Sequence, residues 1–130
     1  MLDLSPATFN TDVYPLLEGN ISSSLVHLRH LNYLDLSSMS LSGNSIPSFI
    51  GNLSKLRYLN LSHTSLTGQV PPQLGNLSRL QFLDLSYNFE ISMENLEWAS
   101  RLSSLQVLDL SLTNMTTAYD WVQVVNNLPH

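Results

Sequence analysis

Leucines recur along this chain with a fixed period in the twenties. Between Leu53 and Asn76 they fall at 53, 56, 59 and 61; Leu66, Gly68, Val70, Pro71 and Leu74 follow, and Leu77 begins the series again. In an L-x-L segment successive side chains point to opposite sides of an extended chain, so both leucines turn one way and the residue between them the other. The series also runs from Leu28 through Leu31, Leu34, Leu36, Leu41, Gly43, Ile46, Pro47 and Ile50, from Leu77 through Leu80, Leu83, Leu85 and Asn88, and from Leu102 through Leu105, Leu108 and Leu110. This predicts parallel strands centred on Leu34-Leu36, Leu59-Leu61, Leu83-Leu85 and Leu108-Leu110. The chain reads as one domain over 1–130, with a distorted partial turn at 1–27, full turns at 28–52, 53–76, 77–101 and 102–127, and a further turn opening at 128–130.

A turn of this kind cannot bury its apolar side alone and must stack on its neighbours. The expected fold is therefore an α/β repeat, a right-handed leucine-rich-repeat solenoid. Its short parallel sheet lies on the concave face, with irregular, 3₁₀ or short helical returns on the convex face. Pro47 and Pro71 suit an extended or 3₁₀ return, since proline fixes φ and lacks a donor that no ladder needs there. The third turn replaces that element with ISMENLEWAS and the fourth with TTAYDWVQVVNN, which predicts short helices around Glu94–Ala99 and Trp121–Val125. At the corner after each strand stand Met39, Thr64, Asn88 and Thr113. An asparagine there can turn inward to satisfy buried backbone groups and a threonine can bond locally, whereas Met39 can do neither, so its corner is expected to be the loosest or to be satisfied by water.

Composition narrows the function. Only five basic side chains are present and the formal net charge is −5, the opposite of the footprint of a nucleic-acid binder. With no cysteine in the chain, disulfides, thiolate metal sites and cysteine nucleophiles are excluded. His27 and His30 lie in the approach to a strand with no third ligand close in sequence, so no metal site is expected. Serines, His63 and aspartates are plentiful, but no nucleophile sits in a strained elbow motif, and neither an enzyme nor a cofactor is expected. No apolar run approaches the ~18 residues that span a bilayer, and the N-terminus has no signal-peptide pattern.

The segments LNYLDLSSMSLSGNSIPSFIGNLSKL and LRYLNLSHTSLTGQVPPQLGNLSRL resemble the plant-specific extracellular leucine-rich repeat. More narrowly, IPSFIGNLSKLRYLNLS, YNFEISMENLEWASRLSSLQVLDLS and AYDWVQVVNNLP resemble the N-terminal repeats of plant receptor-like proteins of the immune type, including those recognising fungal xylanase. The resemblance implies a secreted or cell-surface, N-glycosylated ectodomain anchored in the plasma membrane by one helix. It also implies a protein or peptide ligand and signalling through a partner receptor kinase. This chain lacks the family's signal peptide, cysteine-bearing cap and anchor.

Stacked turns place the residues between the leucines in rows. Tyr33, Tyr58, Phe82 and Val107 form one row, Asp35, Asn60, Asp84 and Asp109 the next, and His63 and Tyr87 stand in a further row with Ser38 and Leu112. Aromatic beside acidic is the expected ligand-binding stripe; the alternative is that LDLS recurs for the fold alone and the segment is a purely structural stretch of a larger receptor. Sequons at Asn20, Asn52, Asn60, Asn76 and Asn114 are glycosylation acceptors if the chain is secreted. The end turns carry no recognisable cap, so Leu2, Leu4, Leu25 and Leu28 on one side and Leu108, Leu110, Val124 and Leu128 on the other are expected near open surfaces. The isolated chain is then expected to fray at its termini, to self-associate end to end, or to function only as part of a longer protein whose further repeats cover those ends.

Overall fold

The computed structural model of the chain describes residues 2–3 and 29–114. A five-stranded parallel sheet forms its inner face: β1 (Leu2–Asp3), β2 (Tyr33–Asp35), β3 (Tyr58–Asn60), β5 (Phe82–Asp84) and β7 (Val107–Asp109), in that spatial order. The register aligns the repeats residue for residue, with Leu34 opposite Leu59, Leu59 opposite Leu83 and Leu83 opposite Leu108. Each strand is centred on the first leucine of its pair, one residue earlier than the spacing predicts. The second leucine lies just beyond the strand because the chain turns there, although its N–H still reaches the next turn: Leu36 donates to the Asn60 carbonyl, Leu61 to Asp84 and Leu85 to Asp109, each at 2.9 Å.

The leucines that face away from the sheet surface fill one continuous core. Leu34, Leu53, Leu56, Leu59, Leu61, Leu83 and Leu85 have no exposed surface, and Ile50, Leu74, Ile91, Leu96 and Trp98 close over them from the return segments. Two of those returns are 3₁₀ helices, Ser48–Asn52 and Pro72–Asn76, each entered through an extended proline, Pro47 or Pro71. A ring with fixed φ and no N–H suits that entry. The helices pack on each other and then on α1 (Glu97–Ser100). At these contacts the turns come close enough to require glycine: a Cβ on Gly51 would lie 2.5 Å from the Gln73 carbonyl oxygen, and one on Gly75 2.7 Å from that of Trp98.

A second parallel sheet, absent from the sequence reading, pairs β4 (Thr67–Gln69) with β6 (Glu90–Ser92), and a bridge from Ser92 to Asn114 carries the pairing into the next turn. It corrects the expected irregular return at Thr67–Gln69. It also corrects the helix read into ISMENLEWAS: Ile91 belongs to β6, and the helix is confined to Glu97–Ser100. Alternation explains the difference, because Ile91 and Met93 are buried while Glu90 and Ser92 are not, a period of two rather than a helical period. The corner residues behave as their chemistry predicts. Asn88 and Thr64 are fully buried and hydrogen-bonded, whereas Met39 only packs partly against the core. The helix predicted around Trp121–Val125, the partial turn over 4–27 and the opening at 128–130 lie outside the described residues.

Candidate recognition surface

Sheet register puts Tyr33 opposite Tyr58 and Tyr58 opposite Phe82, and the three rings form a continuous ladder. Tyr33 and Tyr58 stack with centroids 4.2 Å apart and planes within 8°, and Tyr58 and Phe82 at 4.3 Å and 5°. All three are half-buried, and Tyr58 in the middle is stacked on a neighbour at both faces. Val107 extends the row in register with Phe82 and is 47% exposed.

The adjoining polar row is tied down. Asp35 accepts a hydrogen bond from the Ser37 N–H at 2.8 Å, Asn60 from Ser62 at 3.0 Å, Asp84 from Ser86 at 2.8 Å and Asp109 from Ser111 at 2.9 Å. These bonds are Asx turns that end each strand locally. Asn60 also accepts from the Ser62 hydroxyl at 2.7 Å. The Ser111 hydroxyl and then its backbone N–H hold the Asp109 carboxyl below its ordinary value, against a smaller opposing effect of burial. Asp84 and Asp109 are register partners, and each carboxylate has its own turn to bond, which lets two like charges stand side by side. The repeated aspartates thus do structural work, as the alternative reading of LDLS expects, while their outer edges remain part of the surface.

A third row is set by backbone conformation. Ser38, His63, Tyr87 and Leu112 all have φ between 55° and 62°, the left-handed region uncommon for residues other than glycine. That conformation turns the chain out of the strand. His63 and Tyr87 stack at 4.1 Å and 14°, and Phe89 meets Tyr87 edge-on at 6.4 Å and 88°. Beside them lies a groove of about 440 Å³ lined by Gly43, His63, Ser65, Tyr87, Phe89 and Glu90, among others. The sequence reading included His63 and Tyr87 but missed Phe89 and Glu90. The leucine spacing carries no signal for them: Thr67 pairs with Glu90 and Gly68 with Ile91, and Phe89 just before that pairing is 66% exposed.

The sequons fall in different settings. Asn52 and Asn76 end the two 3₁₀ helices and are exposed; Asn60 is half-buried in β3; Asn114 is exposed and bridged to Ser92; Asn20 lies outside the described residues. Among the described residues no cluster of His, Cys, Asp and Glu could hold a metal ion, and no helix is long and apolar enough to cross a membrane.

Residues 29–89 match the family model for the leucine-rich repeat. Across 115 residues, 88% of this chain, the sequence is 44% identical to receptor-like protein EIX1 of Solanum lycopersicum. It is a leucine-rich-repeat chain of the plant receptor-like type. It spans 11% of the length of that relative. Among solved structures it is similar to PEPR1 in its complex with AtPEP1, with a TM-score of 0.67 and 32% identity over 72% of this chain and 13% of that one. It is also similar to the Arabidopsis receptor kinase HAESA in complex with the peptide hormone IDA and the co-receptor SERK1, with a TM-score of 0.66 and 33% identity over 72% of this chain and 15% of that one.

Proposed function

We propose that this leucine-rich-repeat chain is a non-catalytic recognition module, working at the cell surface or outside the cell, that takes a protein or peptide ligand across its inner sheet. The observation that carries the reading is the ladder Tyr33–Tyr58–Phe82. Three parallel, half-exposed rings offer rigid contact area at low conformational cost, the kind of surface enriched where proteins bind one another. Asp35, Asn60, Asp84 and Asp109 border the ladder and give it a negative edge, and His63 and Tyr87 lie beyond them, past the ends of the strands. The solved relatives support a peptide ligand, since HAESA is seen with the peptide hormone IDA and the co-receptor SERK1. In this reading residues 28–127 act as four consecutive turns of one domain.

A second reading has a specific observation in its favour. The four Asx turns explain why Asp or Asn recurs in every strand without any ligand, and a segment that only extends a longer solenoid needs nothing more. The rings separate the two readings, because no turn geometry requires them. A photo-crosslinking amino acid placed at position 58 or 82 is expected to capture a discrete extracellular protein or peptide from plant tissue. The same group at the outer position Gln73 is expected not to. Equal capture from both faces, or none from the inner one, would leave the structural reading standing alone.

A further inference from the structure

The groove beside β3 and β5 has a chemistry different from the ring ladder, and its walls are fixed by the core. Ile91 donates its N–H to the Asn88 carbonyl at 3.1 Å, closing a four-residue turn with Phe89 and Glu90 at its centre. Both ends of that turn are anchored, Asn88 by its buried hydrogen bonds and Ile91 by burial at 1% exposure. The two central residues therefore have nowhere to go but outward. Phe89 stands at 88° to Tyr87, and the two rings make an open aromatic corner, 66% and 43% exposed, with His63 stacked on Tyr87 behind it. The Glu90 carboxylate lines the same groove, and among the described residues no hydrogen bond or ion pair occupies it. A large aromatic left 66% exposed forgoes hydrophobic burial, and its edge-on contact with Tyr87 offsets only part of that cost.

From this juxtaposition we propose that the groove is a subsite for an arginine side chain of the ligand. A guanidinium is planar and weakly hydrated, stacks on an aromatic face, and directs its N–H groups at a carboxylate in the same plane. An aromatic corner with a free carboxylate at its edge offers both interactions at once, and the chain's net charge of −5 brings a cation toward it. Lysine would meet the charge but not the planar stack, and a neutral side chain would leave Glu90 facing apolar surface. The proposal rests on the recognition reading and adds to it which ligand residue sits at this edge of the sheet.

The test uses the full chain, isotope-labelled for NMR, with a blocked Gly-Arg-Gly peptide as probe and the same peptide carrying citrulline, the neutral isostere of arginine, as its partner. The arginine peptide is expected to shift the resonances of Tyr87, Phe89 and Glu90 with a dissociation constant on the order of 1–10 mM, as a single exposed contact allows. Citrulline is expected to bind at least about threefold more weakly. Glu90→Gln is expected to remove that difference, and Phe89→Ala, at an exposed site where folding is not at risk, to weaken the arginine peptide by about two- to fivefold. Equal shifts from the two peptides, shifts confined to Tyr33, Tyr58 and Phe82, or no shift by about 20 mM peptide would overturn the subsite. Shifts confined to the ladder, or crosslinking through position 58 with an empty groove, would leave the recognition reading intact while the subsite falls. Failure of the crosslinking with a working groove would remove that reading instead.

Discussion

The side chain of Asn88 reaches back into the turn before its own, where its Oδ1 accepts from the Thr64 hydroxyl at 3.0 Å, the Thr64 N–H at 3.2 Å and the Leu66 N–H at 3.1 Å. Its Nδ2 donates to the carbonyls of Leu61 at 2.8 Å and Leu85 at 3.0 Å. One amide thus joins two turns at a corner with no exposure to water, and the Leu61 carbonyl it serves also accepts from the Thr64 hydroxyl at 2.8 Å.

Asn88→Ala is expected to destabilise the chain by at least about 3 kcal/mol, because several buried donors and acceptors lose their partner together and each costs about 1–3 kcal/mol when left unmade. Thr64→Val keeps the shape and removes one hydroxyl, so its cost is expected near 1 kcal/mol. Urea denaturation of the two variants checks the ratio. Similar costs for both would mean that water enters the corner and replaces the amide.

Gly51 and Gly75 give a second expectation. Each lies in a 3₁₀ return against the backbone of the following turn, and an added methyl would overlap a carbonyl oxygen. Alanine at either position is expected to cost about 1–3 kcal/mol through overpacking. Gly43 is different: a Cβ there meets nothing within 4 Å, but its φ of 79° disfavours any L residue. Gly43→Asn is therefore expected to be tolerated and Gly51→Asn not. Thermal melting of the four variants decides it, and a stable Gly51→Ala would show that neighbouring returns can slide apart.

How much of this was legible in the sequence follows from where the chain repeats itself. The inner strands, their parallel register and the buried leucines were readable because each L-x-L carries the same division between inside and outside. So was the corner asparagine, since hydrogen-bonding capacity is a property of the side chain alone. The β4–β6 pairing was not, because Thr67-Gly68-Gln69 carries no apolar alternation of its own. Only the partner turn, with Ile91 and Met93 buried on one side, shows it. Phe89 and Glu90 were hidden for a related reason: the third turn departs from the leucine spacing just where Ile91 takes the core position. The rows of the recognition surface could be listed by counting along the repeats, but which members touch, such as His63 with Tyr87, depended on a left-handed backbone that no residue type in the row demands.

Asp109 supplies an expectation in pH. Its carboxyl is held below the ordinary 3.8 first by the Ser111 hydroxyl and then by the Ser111 N–H. A group whose folded value is depressed contributes stability that is complete above its unfolded value and is lost as pH falls through the folded one. The contribution of Asp109 is thus expected to be constant at neutral pH and to disappear on acidification below the usual carboxylate range. Ser111→Ala removes the larger cause and is expected to move the Asp109 titration upward, with the N–H bond left to oppose the effect of burial. Carboxyl-carbon NMR titration of both proteins reads this directly. A wild-type Asp109 titrating at or above the ordinary value would contradict the hydrogen-bonded turn.

The left-handed row offers the last expectation. Leu112 has a φ of 58° and its side chain is 50% exposed, so it bears the steric cost of that region, roughly 1–2 kcal/mol for an L residue, with only partial burial to offset it. Asparagine occupies the same region at lower cost because its short polar side chain bonds locally. Leu112→Asn is therefore expected to stabilise the chain by about 0.5–1 kcal/mol. Tyr87 shares the conformation at 60°, but its ring is stacked on His63 and meets Phe89, contacts worth about 0.5–1.5 kcal/mol each in ordinary aromatic pairs. Tyr87→Asn relieves the same backbone and loses both contacts, so its net effect is expected to be zero or destabilising. Chemical denaturation of the two variants side by side separates backbone from ring. If Leu112→Asn were destabilising while Tyr87→Asn were neutral, the side chain of Leu112 would have to be held by contacts beyond the described turn, and the ring stack would contribute nothing to the fold.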